Sequence, residues 1–112
     1  MTYNPALSAL VAVTTKTADY TATTNDNIIL CDASSQSVVI TLPAASASTV
    51  GKQWNIIAID TNSGTNSVSV APAGADTLNT SSSGSTTTQW DSFIVTGSTS
   101  SGWHSVTPAQ TA

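Results

Sequence analysis

Short apolar runs alternate with polar turn segments along most of the chain, and helical periodicity is almost absent. Turn-forming residues interrupt the apolar runs roughly every 8 to 14 positions, a spacing typical of an all-β sandwich or barrel. We therefore predict a compact antiparallel β-sandwich or barrel. Its strands are predicted over residues 20–23, 28–32, 37–42, 52–60, 68–70, 89–96 and 103–107.

The beginning of the chain differs from the rest, because it contains no turn framework of its own. We interpret residues 1–17 as an extended arm that becomes ordered on a partner surface. The β domain is predicted to span residues 18–107, and a short tail follows at 108–112. The arm carries apolar residues that a freely solvated tail has little reason to keep: Tyr3, Leu7, Leu10, Val11 and Val13.

Residues 52–60 give the strongest strand signal. Trp54 and Ile56 would occupy one face of this strand and Ile57 and Ile59 the other, since side chains alternate along a strand. A sheet in a small isolated domain usually has one solvated face. Two apolar faces therefore indicate either that another subunit covers one of them or that the strand is fully enclosed.

Composition narrows the range of functions. Only 7% of the 112 residues are charged, against about 25% in an average domain, while Ser and Thr contribute 18 and 20 residues. The net charge is −4, with two lysines and no arginine. Because recognition of phosphates and anionic lipids needs clustered basic residues, we predict no nucleic-acid partner and no membrane partner.

The sequence shows no targeting signal. No segment approaches the ~20 apolar residues of a membrane helix. Residues 6–13 are mildly apolar but lack the basic leader of a secretion signal. We therefore expect a complete, soluble chain that is not exported by the usual route.

No residue pattern indicates catalysis or a cofactor. Cys31 is the only cysteine and lies in an apolar run, so we expect a small buried hydrophobe, with a reactive thiol or an intersubunit bridge as alternatives. His104 is the only histidine, has no nucleophile-elbow motif beside it and is expected at the rim of a strand. One Cys and one His cannot supply a metal cluster. We predict that the protein is not an enzyme and needs no cofactor.

The aspartates are expected to stabilise turns. Asp60 opens a segment, Asp-Thr-Asn-Ser-Gly, that faintly resembles the start of a calcium loop. The twelfth position of that loop is Ala71, where a bidentate Glu is needed, so we prefer a hairpin turn. Asp26, Asp32 and Asp76 flank predicted turns and are expected to accept hydrogen bonds from the local backbone.

Several motifs occur in an order that resembles a known group of proteins. The segments are "VVITLPAA", "GKQWNIIAID", "NSVSVAPAGADTLN", "QWDSFIV" and "GWHSV". Over about residues 19–106 they resemble the small β modules of tailed-phage virion proteins, which occur in tail fibres and in head-fibre or head decoration proteins. The resemblance implies a homotrimer with a structural or adhesive function.

Because only a short arm precedes the module, the resemblance implies a head decoration (cement) protein rather than a long fibre. Such a protein is made in the host cytoplasm and binds the major capsid protein on the outside of the capsid. We expect the arm residues Tyr3, Leu7, Leu10, Val11 and Val13 to contact the capsid, and Trp54, Ile56, Ile57 and Ile59 to form the trimer interface.

The alternative is a tail-fibre or receptor-binding module that recognises a host surface glycan. Trp90 adjoins a Ser/Thr-rich loop, and an exposed Trp among hydroxyl groups can stack on a sugar. Packing of Trp90 against the domain is the simpler interpretation of the same residue.

Overall fold

The protein is all-β in its computed structural model, which describes residues 12–79, 83–99 and 102–106. The strands are β1 (Val13–Lys16), β2 (Tyr20–Thr21), β3 (Ile28–Asp32), β4 (Val38–Thr41), β5 (Gln53–Asp60), β6 (Val68–Ala71), β7 (Thr77–Leu78), β8 (Gly84–Thr86), β9 (Ser92–Thr99) and β10 (Gly102–Val106). A single 3₁₀ turn, Ala47–Thr49, precedes β5. Within the described ranges no helix has the length and apolarity to cross a membrane.

The strands form two mixed sheets. The six-stranded sheet has the order β1-β3-β5-β9-β10-β7, and the four-stranded sheet has the order β2-β4-β6-β8. The first six strands alternate between the sheets, and within each sheet they are parallel. The chain therefore winds as three turns of a coil, and each turn adds one strand to each sheet. Antiparallel pairing appears only later, where β9 joins β5 and β10, and β8 joins β6.

The prediction of antiparallel sheets is wrong, and the reason lies in the turns. The segment 61–67 after β5 leads into β6, which belongs to the other sheet, so this turn is not the predicted hairpin. Apolar alternation specifies that a segment is a strand and which face is buried. It does not specify the direction of the neighbouring strand, and parallel strands in a coil have the same alternation as strands in a hairpin.

Both sheets contribute to one hydrophobic core, which favours a sandwich over a barrel. The core residues are Ala22, Ile29, Cys31, Ala33, Val38, Ile40, Leu42, Trp54, Ile56, Ala58, Val68, Val70, Leu78, Phe93, Val95 and Trp103. At its centre the rings of Trp54 and Trp103 lie 4.9 Å apart between centroids and are tilted by 46°. The indole N–H of Trp54 donates to the Thr23 carbonyl over 3.0 Å, whereas that of Trp103 is buried and has no hydrogen-bond partner among the described residues.

The β domain begins earlier than predicted. β1 pairs in parallel with β3, and the main chain of Ala12 already accepts a hydrogen bond from Ile28 N–H at 3.0 Å. Residues 12–16 therefore belong to the sheet and not to an arm ending at residue 17. The run Val-Thr-Thr has β-branched side chains that suit an edge strand, and a parallel edge strand needs no turn of its own. Tyr3, Leu7, Leu10, Val11 and the tail at 108–112 lie outside the described residues.

Candidate assembly surface

The two faces of β5 have different environments. Trp54, Ile56 and Ala58 are buried. Ile57 is partly exposed on the other side, and Ile59 is partly exposed at the bulge near the end of the strand. The predicted alternation is thus confirmed. The assignment of Trp54 and Ile56 to a trimer interface is not, because both side chains have 0% exposure and are core residues of the single chain.

The outer side of the six-stranded sheet carries a continuous apolar surface. We define the outer apolar face as Val13, Ile28, Leu30, Ile57 and Ile94, which surround Asn55. The strand register places Val13 beside Ile28, Ile28 beside Asn55, and Asn55 beside Ile94. Neighbouring strands lie about 4.8 Å apart, so this row extends roughly 14 Å across four strands. Val13 is 57% and Ile94 37% exposed.

Asn55 is a polar residue with an unsatisfied atom within this apolar surface. Its side-chain oxygen is buried and has no hydrogen-bond partner among the described residues. A shallow cavity of about 240 Å³ lies here, lined by Asn27, Ile28, Gln53, Trp54, Asn55 and Ile94. A buried, unpaired acceptor costs about 1–3 kcal/mol.

Some residues of the outer apolar face could be predicted from the sequence alone. Ile57 was predicted from the two-sided pattern of β5, and Val13 was predicted for a different role. Ile28 and Leu30 were missed as surface residues, although the run Ile-Ile-Leu in β3 also has apolar residues on both faces. Ile94 and Asn55 are recognisable only after the register has aligned their strands.

The carboxylates serve the chain's own turns and loops. Each aspartate accepts at least one hydrogen bond within the chain: Asp19 from Val39 N–H, Asp26 from Tyr20 O–H and Thr23 N–H, Asp32 from Ser34 N–H, Asp60 from Asn62 N–H, Asp76 from Ala45 N–H, and Asp91 from Thr86 O–H. Local turn bonding is confirmed for Asp26 and Asp32. Asp76 differs from the prediction, because it bonds a loop 31 residues earlier at 2.7 Å.

Asp26 is the centre of a small polar cluster at the start of the coil. Burial alone would raise the pKa of its carboxyl, but hydrogen bonds from Thr23 and Tyr20, with the positive charge of Lys16, lower it overall. The ammonium of Lys52 donates to the Asp26 carbonyl, and that of Lys16 lies 3.9 Å from the centroid of the Tyr20 ring. Both lysines of the chain are thus engaged in holding the turn between β2 and β3.

The described part of the chain shows no catalytic constellation. Cys31 is buried, as predicted, and burial raises the pKa of its thiol to about 12, so it is not a nucleophile at neutral pH. His104 is exposed and its Nδ1 contacts the Ser98 hydroxyl, without a carboxylate among its described hydrogen-bond partners. In residues 12–79, 83–99 and 102–106, no group of three or more His, Cys, Asp or Glu side chains is arranged to hold a metal ion.

Trp90 is exposed, which decides between the two interpretations of its sequence context. With 68% of its surface accessible, it is the most exposed large hydrophobic side chain among the described residues. Packing within the single chain therefore leaves most of this side chain uncovered.

Comparison with protein-family models gives no match for this chain, and neither does comparison with curated proteins. The interpretation of the surface therefore depends on its own geometry and on the sequence motifs.

Proposed function

We propose that this protein is a structural component of a tailed-phage virion that decorates and stabilises the outside of the capsid. The observation that carries the proposal is the outer apolar face of the six-stranded sheet, which is uncharged and stays open to solvent in the single chain. Combined with the motifs that resemble phage virion modules, this face supports assembly rather than catalysis.

In the proposed assembly, three copies pack through their outer apolar faces. Ile57 lies beside Asn55 on the third of the four strands of this face, and Ile94 lies on the fourth. An apolar surface that spans several strands and carries no charge is unusual on a small isolated domain and typical of an interaction site. Trp54 and Ile56 support this interface from beneath as core residues.

Attachment to the capsid is assigned to residues 1–11, whereas Val13, which was expected to contact the capsid, belongs to the outer apolar face and is assigned to the trimer interface. β1 is the edge of the six-stranded sheet, so the chain reaches the domain at an open edge rather than at its centre. The apolar residues Tyr3, Leu7, Leu10 and Val11 supply contact area, and an extended segment can add to a sheet edge of the capsid protein through main-chain bonds. Three arms on one trimer raise the effective concentration of each arm at the capsid surface.

A binding assay with two alternative targets tests the proposal. Purified protein is mixed with purified heads of the phage that encodes it and, separately, with cells of its host. Sedimentation with heads and not with cells is the expected result. Sedimentation with cells and not with heads would show instead that the protein is a receptor-binding module.

A further inference from the structure

We infer that the turn at residues 87–90, with Trp90 at its tip, is a binding site for neutral carbohydrate. This inference concerns a second function, and it is independent of attachment to the capsid. It starts from the indole ring of Trp90, which is largely exposed to solvent in the described part of the chain.

The backbone of Trp90 is held in an unfavourable conformation. Its φ is +74°, a region in which bulky side chains are rare and glycine is preferred. A strained residue persists only where surrounding contacts impose it, and such residues cluster at functional sites. Here most of the side chain stays exposed, so it gains little packing in return for the strained backbone.

The turn that carries Trp90 is rigid. The main-chain N–H of Trp90 donates to the Ala58 carbonyl at 2.6 Å, and that of Ala58 donates to the Asp91 carbonyl at 2.9 Å. The Gln89 amide donates to the Ile59 carbonyl at 2.9 Å, and the Thr86 hydroxyl donates to the Asp91 carboxylate at 2.7 Å. The ring is therefore presented from a fixed base, which lowers the entropic cost of binding a ligand.

The surroundings of Trp90 select the class of ligand. The neighbouring turn side chains Thr87, Thr88 and Gln89 are exposed and uncharged. The loop at residues 62–65 lies against this turn, because a Cβ at Gly64 would be 3.7 Å from the Thr87 carbonyl. That loop adds Asn62 and Ser63, which are also exposed and also have positive φ values of 51° and 55°.

An aromatic plane beside amide and hydroxyl groups matches a sugar ring. The apolar C–H face of a sugar packs on the indole, while its hydroxyl groups exchange hydrogen bonds with amides and hydroxyls. Both nearby carboxylates, Asp60 and Asp91, keep their negative charge although each accepts a hydrogen bond, which disfavours an anionic ligand, and neither lysine of the chain lies in this turn to bind one. The ligand is therefore an uncharged carbohydrate. A protein hot spot would instead be expected within a wider, well-packed interface, whereas the neighbours of Trp90 in its turn are polar.

The site is separated from the entry of the arm. The N–H of Trp90 donates to the carbonyl of Ala58 on β5. The chain enters the sheet at Ala12, which accepts a hydrogen bond from Ile28, and Ile28 pairs with Asn55 on β5. Three residues of β5 separate the two levels, which is about 10 Å along the strand. The Trp90 turn and the point where the chain enters the sheet thus lie at different levels along β5.

The test uses the full-length protein on a printed array of neutral oligosaccharides that includes maltohexaose, cellohexaose and chitotetraose. We compare the wild type with Trp90→Gly, which suits the positive φ, and with Trp90→Phe, which keeps an aromatic ring. Val50→Ser is the matched control, since Val50 is 51% exposed and lies outside this turn.

The expected result is wild-type binding to at least one neutral oligosaccharide, a loss of tenfold or more in Trp90→Gly, partial retention in Trp90→Phe, and no change in Val50→Ser. Titration with the bound sugar should also change the tryptophan emission, and Trp90 is the source because Trp54 and Trp103 have no exposed surface. The inference is overturned if no oligosaccharide on the array binds, or if binding is the same in Trp90→Gly.

Head sedimentation of the same variants keeps the two proposals distinguishable. Trp90→Gly should decorate heads and keep its oligomeric state like the wild type. If it loses either property while remaining folded, Trp90 is a protein contact and the carbohydrate inference is wrong. If the wild type fails to decorate heads but binds sugar through Trp90, the capsid proposal is wrong and the carbohydrate site stands.

Discussion

At the residue scale, the surroundings of single side chains decide what they can do: Cys31 is buried, and Asp26 and Asp32 accept hydrogen bonds from their own turns. The burial of Cys31 and the turn bonding of Asp26 and Asp32 follow from residue type and local context, and the structure confirms them. Packing of Trp90 was the preferred interpretation, but its side chain is mostly exposed because a turn at residues 87–91 interrupts the predicted strand 89–96. Observed β9 begins at Ser92.

Cys31 should be chemically inert in the folded protein. Burial excludes both solvent and reagent and raises the pKa of the thiol to about 12, so very little thiolate exists at pH 8. We expect a disulfide-exchange reagent at pH 8 to label Cys31 only after denaturant is added. Rapid labelling under native conditions would show that the Cys31 thiol is accessible and reactive, which is the alternative interpretation of this residue.

Asp26 should make stability depend on acid pH. Its folded-state pKa is lowered, so its contribution is present above the pKa of the unfolded chain and is lost as the pH falls through the folded pKa. Asp26→Asn should lower the free energy of unfolding at pH 7 by about 1 kcal/mol, with allowance for solvent screening. It should also weaken the loss of stability that occurs as the pH falls below the pKa of an Asp carboxyl in the unfolded chain.

Tyr20→Phe is the matched variant for this measurement, because it removes one hydrogen bond to the Asp26 carboxylate and keeps the ring beneath Lys16. Denaturant unfolding at several pH values should place Tyr20→Phe between the wild type and Asp26→Asn. An unchanged pH dependence in Asp26→Asn would show that Asp26 does not stabilise the folded state.

At the element scale, most strands were predictable and their pairing was not. The strand predicted at 28–32 matches β3, and that at 52–60 differs from β5 by one residue. These segments have strong alternation and clear turn residues at both ends. The parallel coil depends on which strands become neighbours within each sheet, and local alternation does not specify this. In the same way, no local sequence pattern indicates that β1 pairs with the edge of β3.

The roles of β1 and of the residues before it can be separated by two truncations. A chain that begins at Ala12 keeps β1 and should fold and assemble normally yet fail to decorate heads. A chain that begins at Thr17 also loses β1. We expect its melting temperature to fall by roughly 10 °C, since parallel pairing of a four-residue strand contributes about 2 kcal/mol.

Thermal unfolding and head sedimentation of both truncated chains give the answer. If the chain that begins at Ala12 decorates heads as well as the full chain does, the attachment site lies in the β domain and not in residues 1–11. An unchanged melting temperature in the chain that begins at Thr17 would show that β1 adds nothing to the fold.

At the scale of the whole molecule, the outer apolar face should hold three copies together. Ile57→Asp places a charge on this face, where a neighbouring subunit would desolvate it, and should give a folded monomer. Val50→Asp introduces the same charge at an exposed apolar residue outside the face and should remain a trimer. Light scattering measures the masses, and circular dichroism verifies the fold. A wild type that is monomeric at micromolar concentration would contradict the trimer.

Saturation binding to purified heads tests whether the assembled protein coats phage heads. Wild-type protein and Ile57→Asp are titrated onto heads stripped of decoration, and the bound protein is measured after sedimentation. We predict tight, saturable binding of the wild type and an affinity at least one hundredfold lower for the monomeric variant, because single arms lose the multivalent gain. A wild type that does not sediment with heads, or a monomer that binds equally well, would contradict the account.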